Sequence, residues 1–270
     1  MKRGNTILYS IILIMATLST AFGEKANAST IKEENISYSV GDKVYKGFIA
    51  YNGELKGKRP AVLVVHEWWG LNEYPKMRAR QLAELGYIAM AVDLFGDGKI
   101  ATNPTEAQAY TAPFYSNPVL SKTLIEAAIV KLKEFKQTDA STIFAIGYCF
   151  GGSMVLNAAK MGSELKGVVS FHGGLKGVPA DKSLLKTRIL VCHGASDKFV
   201  GPADVSIFRH QLDSIGAKYT FIAYPNATHA FTNPLSTETG KKFNMPIEYN
   251  KKADMDSWND MKKFLSSLVK

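Results

Sequence analysis

From residue 60 onward the sequence repeats one pattern: a short run that is apolar almost throughout, a loop, and an amphipathic segment. The runs fall at 60–65, 87–92, 142–146, 167–171, 188–192 and 219–224. The amphipathic segments fall at 74–85, 121–135, 153–161, 203–215 and 253–268. A strand covered by helices on both faces has no solvent side, so it reads as a continuous apolar run rather than an alternation. The last segment places Trp258, Met261, Phe264, Leu265 and Leu268 at helical spacing. Strand and helix in turn predict an α/β fold, a doubly wound, mostly parallel sheet of about eight strands with helices on both faces. Two earlier strand patterns, 36–40 and 43–52, predict an antiparallel edge. Segment 96–118 holds three prolines and reads as an irregular excursion over the carboxyl edge of the sheet. Ligands in open α/β sheets bind at that edge, so the loops after the strands are where chemistry is sought.

The first residues carry a different signal. Lys2 and Arg3 precede an apolar stretch at 7–18, and small and polar residues follow, ending in Ala26-Asn27-Ala28. That is the pattern of a secretory signal peptide over residues 1–28, cleaved after Ala28 or alternatively after Gly23. The unbroken apolar run falls short of the roughly 20 residues that span a bilayer, so no stable membrane anchor is expected. Residues 29–270 then form one domain, exported to the periplasm or the medium. The net charge of +9 comes mostly from lysines spread along the chain without a basic block. A nucleic-acid partner would call for a clustered stripe, and none is expected.

Four post-strand loops carry reactive side chains: His66-Glu67-Trp68-Trp69-Gly70, Gly147-Tyr148-Cys149-Phe150-Gly151-Gly152, His193-Gly194-Ala195-Ser196-Asp197 and Asn226-Ala227-Thr228-His229-Ala230-Phe231. The second is a nucleophile elbow with cysteine as the nucleophile. The turn from strand to helix is so sharp that positions two before and two after must lack side chains. It aims the thiol into the pocket, and the next backbone N–H becomes an oxyanion donor. The helix N-terminus behind it favours a thiolate. An acid, Asp197, and a histidine, His229, follow in chain order, as this geometry uses them: the histidine takes the thiol proton and the aspartate fixes its tautomer. His66 and His172 end strands and are expected at the pocket without acting as bases. His193 is read as a hydrogen-bonded structural residue, His210 as a surface residue and Cys192 as an inert apolar one. The five histidines show no metal-ligand spacing, so neither metal nor cofactor is expected.

These residues together resemble the dienelactone hydrolase (carboxymethylenebutenolidase) family of the α/β-hydrolase superfamily. The resemblance rests on His-Glu-x-x-Gly at 66–70, Gly-Tyr-Cys-x-Gly-Gly at 147–152, His-Gly-x-x-Asp at 193–197, His-x-Phe at 229–231 and the tail Ala253-Asp254…Ser257-Trp258. It implies an α/β-hydrolase fold and a Cys149, Asp197, His229 triad. It also implies an oxyanion hole from the backbone N–H groups of Phe150 and Trp68, and a gating role for Glu67, which would hold the resting thiol neutral. Trp69, Tyr148 and Phe231 are expected as substrate contacts. The sequence departs from the family where its best-known members grip a carboxylate with arginines: Asn233 stands at one such position, and no arginine occurs between Arg80 and Arg188.

The expected activity is therefore cysteine-dependent hydrolysis of a small lactone or ester through a thioester, by a monomer. Two alternatives stand beside it: a broad carboxylesterase or thioesterase on the same triad, separated by a substrate panel, and an inactive binding protein on a hydrolase fold, which would form no acyl-enzyme.

Overall fold

The computed structural model describes Met1 and residues 30–269, so the expected signal segment lies outside the described residues. Eight strands, β1 (Ile31–Val40), β2 (Lys43–Asn52), β3 (Arg59–Val65), β4 (Ile88–Val92), β5 (Thr138–Tyr148), β6 (Gly167–Phe171), β7 (Arg188–Gly194) and β8 (Tyr219–Tyr224), form one sheet. Their order is β1-β2-β4-β3-β5-β6-β7-β8. β1 and β2 form the expected antiparallel edge, β2 joins β4 antiparallel, and all further pairs are parallel. The described helices are α1 (Glu73–Glu84), α2 (Pro104–Ser116), α3 (Val119–Glu134), α4 (Phe150–Lys160), α5 (Pro202–Ser214), α6 (Ser236–Phe243) and α7 (Lys251–Ser266).

The continuous apolar runs divide residue by residue between two cores. Leu63, Val65, Met90, Val92 and Ala145 pack on one side with Leu124, Ile125 and Leu132 of α3, Met154 and Val155 of α4, and Phe208 and Leu212 of α5. Val62, Val64, Ala89, Ala91, Phe144 and Ile146 pack on the other with Ala79 and Leu82 of α1 and Met261 and Leu265 of α7. Successive side chains of a strand point to opposite faces, and here both faces are covered.

The structure departs from the sequence expectations at four places. Segment 96–118 is not irregular throughout. It contains α2, opened by the Asn103 side chain, which accepts from the Glu106 N–H at 3.0 Å, and by Pro104 in the first turn, where a missing N–H is harmless. Pro113 inside the helix disguised it. Helix α6 was not anticipated. β1 starts five residues earlier than expected, with the polar run Lys32–Asn35 paired fully to β2, because an edge strand needs little apolar surface. Helix α4 begins at Phe150, so Gly151 and Gly152 are helical and the turn itself is confined to Cys149.

Behind the sheet, α1 and α7 share a buried cation. Arg78 is 4% exposed; it pairs with Asp254 of α7, donates to the Thr232 carbonyl oxygen at 2.7 Å, and lies 5.1 Å from the Trp258 ring. The Asp254…Trp258 spacing of the tail is thus one turn of α7 presenting two partners to the same guanidinium.

Candidate active site

The elbow is formed as its glycines require. A Cβ on Gly147 would collide with the Gly151 carbonyl, and one on Gly151 with the Val65 carbonyl, so strand, turn and helix could not close on each other. Cys149 sits between them at φ 51° and ψ −115°, a conformation that residues with a Cβ rarely adopt. The thiol is aimed out of the turn, and His229 Nε2 lies 3.0 Å from its sulfur. His229 Nδ1 lies 2.8 Å from Asp197 Oδ2. The other Asp197 oxygen accepts from the N–H groups of Phe199 at 2.8 Å and Val200 at 3.2 Å, which holds the carboxylate fixed. Side chains 32 and more residues apart in sequence, from the loops after β5, β7 and β8, thereby meet in one hydrogen-bonded row.

Burial pulls the pKa of His229 down, but its interactions with Cys149 and Asp197 outweigh it, and the net effect pushes it up to about 10. The imidazole is built to hold a proton. Cys192 is the contrasting thiol: fully buried, with the Tyr224 hydroxyl 3.6 Å from its sulfur, its pKa is pushed up to about 12 by burial.

Glu67 is buried at 4% exposure and accepts from the Asn233 side-chain amide at 2.7 Å. Burial drives its pKa up to about 7, against the lowering influence of Asn233, His229 and Arg78. In this structure the thiol contact is with His229, while the Glu67 contact is with Asn233. A carboxyl moved from 4.5 to about 7 keeps its proton in the folded chain after the unfolded chain has lost it. Folding stability therefore falls as pH rises between those values, by about 3 kcal/mol, and levels off above them. Glu67→Gln removes that titration, so its stability relative to wild type should rise between pH 5 and pH 8, as urea unfolding at the two pH values would measure.

His66 was expected only to line the pocket, and it lies beneath the pocket instead, fully buried. Its Nε2 accepts from the Leu94 N–H at 3.2 Å, which leaves Nδ1–H to donate to the Glu67 carbonyl. In a trans peptide the carbonyl and the following N–H point oppositely, so fixing the Glu67 carbonyl also fixes the direction of the Trp68 N–H. Neither that N–H nor the Phe150 N–H donates to another backbone group among the described residues. His172 is likewise buried under the elbow rather than at the pocket wall. The His193 reading needs correction: it is buried, but its Nδ1 has no hydrogen-bond partner among the described residues.

The pocket above Cys149 has a volume of about 240 Å³, and Trp68, Trp69, Tyr115, Phe199, Met245 and Ile247 are the large side chains of its wall besides Phe150. Trp69 stands where a substrate contact was expected, stacked on Phe243 of α6 at 5.8 Å. Tyr148 and Phe231 do not: both are fully buried and neither lines the pocket. Tyr148, the last residue of β5, points to the α1 and α7 side and stacks on Phe171 at 4.8 Å. Ala230, at φ 56°, turns the chain so that Phe231 drops into the same core beside Tyr224. Tyr115, Phe199, Met245 and Ile247 lie outside every motif read from the sequence. None of the lining side chains is a lysine or arginine.

The eight-stranded, mostly parallel sheet with an elbow at its carboxyl edge defines an α/β hydrolase. A family model described as "Dienelactone hydrolase family" matches residues 46–269, and the chain belongs to that family, whose members hydrolyse lactone or ester bonds. Among similar solved structures, a dienelactone hydrolase-like promiscuous phosphotriesterase from metagenomic libraries is 30% identical with a TM-score of 0.83, over 88% of this chain and 99% of that one. The solved structure of m3DLH is 31% identical with a TM-score of 0.84, over 89% of this chain and 100% of that one. Protein usf of Aquifex pyrophilus is 28% identical over 180 residues, 64% of this chain and 77% of that protein. A carboxymethylenebutenolidase homologue of Escherichia coli (strain K12) is 30% identical over 191 residues, 65% and 68% respectively.

Proposed function

We propose that this dienelactone hydrolase family member is an exported cysteine hydrolase of small, uncharged esters and lactones. The observation that carries the reading is the row Asp197, His229, Cys149, with contacts of 2.8 and 3.0 Å, at the foot of a pocket lined by no lysine or arginine. The thiolate attacks the acyl carbon, a C–S bond forms, and the oxygen of the former carbonyl takes the negative charge. The N–H groups of Trp68 and Phe150 receive that charge. As the C–O bond breaks, His229 gives its proton to the leaving alkoxide, which in a lactone stays tethered to the acyl group. His229 then takes a proton from water. The resulting hydroxide attacks the thioester, and the thiolate leaves with the acid as product. Asp197 holds the imidazole in the tautomer this requires. In the gating role that belongs to this reading, the Glu67 carboxyl, which lines the same pocket, would leave Asn233 to hold the Cys149 thiol between turnovers.

The absence of lysine and arginine from the wall supports the substrate class. A carboxylate on the acyl group would enter a largely apolar pocket that offers it no guanidinium or ammonium partner and already holds Glu67, at a cost of a few kcal/mol. Phenyl acetate should therefore exceed the phenyl monoester of succinate by about 10²-fold or more in kcat/KM. Equal values for the two would overturn this substrate class. The same panel should include an aryl dialkyl phosphate, an uncharged phosphotriester, because the metagenomic relative is named a promiscuous phosphotriesterase. Export is supported by the pattern of residues 1–28, and N-terminal sequencing of the exported protein should begin at Ser29.

A further inference from the structure

Directly beneath the elbow lies a second strained residue. His172 follows β6 and has φ 41°, although it is neither glycine nor asparagine. Its own N–H donates to the Cys192 carbonyl at 2.8 Å, which pins it to β7. Its side chain is 1% exposed, and its ring stands edge-on to His229 at 5.3 Å. The Cys149 backbone N–H is shared between the Phe171 carbonyl at 3.0 Å and His172 Nδ1 at 3.1 Å. Because an N–H can only donate, Nδ1 must be the bare nitrogen. The proton is then on Nε2, which donates to Thr232 Oγ1 at 2.8 Å. The Thr232 hydroxyl is held in turn by the Tyr74 hydroxyl at 2.6 Å, and the Thr232 carbonyl by Arg78. Every heteroatom of the ring is thus assigned a partner, and the tautomer is fixed from both sides. Burial, with the His229 and Arg78 charges adding to it, holds the pKa of His172 well below the usual histidine value, so the ring stays an acceptor.

A histidine serving only as packing needs neither a left-handed backbone nor a fixed tautomer. Of the strained residues with side chains, Cys149, His172 and Ala230 gather within this one site. Such strain persists only where the surroundings impose it, and it clusters at functional sites. We propose that His172 is the positioning residue of the nucleophile: its Nδ1 holds the Cys149 backbone N–H, and with Thr232 it fixes the turn that aims the thiol at His229. The proposal rests on the reading of Cys149 as nucleophile.

Two substitutions separate the two nitrogens. In His172→Asn the side-chain oxygen occupies the place of Nδ1, and asparagine tolerates the left-handed backbone. In His172→Gln the amide reaches Thr232 but leaves the Cys149 N–H without its side-chain acceptor. His172→Phe keeps the ring and removes both contacts. A misaimed nucleophile is a loss of order 10²-fold. Steady-state kinetics on an activated acetate ester should show kcat down about 10²-fold in Gln and Phe, KM within about 3-fold, and Asn within about 10-fold of wild type. Thr232→Val and Thr232→Ser provide a second pair should the Phe variant not fold. Val should lose roughly 10-fold in kcat, and Ser should recover it. Folded Gln and Phe variants that turn over as fast as Asn, or Val equal to Ser, would overturn the proposal. Wild type quenched during turnover supplies the separate check on its foundation. An acyl adduct on Cys149 with no effect at His172 defeats this inference alone, whereas no adduct in wild type defeats both.

Discussion

Replacing Cys149 with alanine should lower turnover of an activated acetate ester by about 10⁴-fold or more, and should leave the melting temperature within about 2 °C. The kinetic half follows from the absence of a substitute. Cys192, the other thiol, is fully buried on β7 with a pKa pushed up to about 12. What survives in the variant is the pocket and the proposed oxyanion pair, which would bind and polarise an ester without attacking it. The stability half follows from the backbone. Cys149 is only partly buried, and alanine bears the same Cβ at φ 51°, so neither the strain nor the core changes much. Mass spectrometry makes the experiment specific: wild type quenched early should carry one acyl group on the peptide containing Cys149, and the variant none. Full activity in the alanine variant would end the cysteine mechanism. An inactive wild type without an adduct would favour the idle binding protein.

What the sequence made legible was whatever is encoded locally. The apolar runs at β3 to β8 announce burial on both faces within five or six residues, and the elbow spells itself in six, because Gly147 and Gly151 must approach each other across a single turn. Asp197 and His229 were legible by chain order. The roles of Tyr148 and Phe231 were misread for a physical reason. Each lies within two residues of a reactive position, but strand alternation sends Tyr148 to the opposite face and the left-handed Ala230 turns Phe231 inward. Adjacency in sequence says nothing about side-chain direction at a sharp turn. The partners of Glu67 and Cys149 were invisible for another reason. Asn233 and Glu67 are 166 residues apart, Cys149 and His172 are 23 apart, and His172 and its own support Thr232 are 60 apart. No periodicity links such pairs; they meet only because the parallel sheet brings every post-strand loop to one edge. The pocket wall supplied by α2, α6 and their flanks was missed together with those helices.

Asp254→Ala should destabilise the fold by about 3–5 kcal/mol, a fall of roughly 10 °C in melting temperature. The residue is 14% exposed and pairs with an arginine that is 4% exposed, so its loss strands a guanidinium away from water. Arg78 would keep the Thr232 carbonyl, the Gln81 side chain and the faces of Trp258 and Tyr74, but none of these carries a compensating charge. Removing both charges should cost much less than the sum of the single changes: Arg78→Met with Asp254→Leu leaves apolar side chains of similar bulk and no buried ion. A double-mutant cycle by urea unfolding would measure this, and additive losses would show the pair to be uncoupled. The pair also reaches the site. Arg78 holds the Thr232 carbonyl, Thr232 orients His172, and His172 holds the backbone of Cys149. The Asp254→Ala protein, assayed well below its melting temperature, should therefore lose kcat by a few-fold with KM nearly constant. That loss would tie α7, through one buried ion pair, to the direction in which the thiol after β5 points.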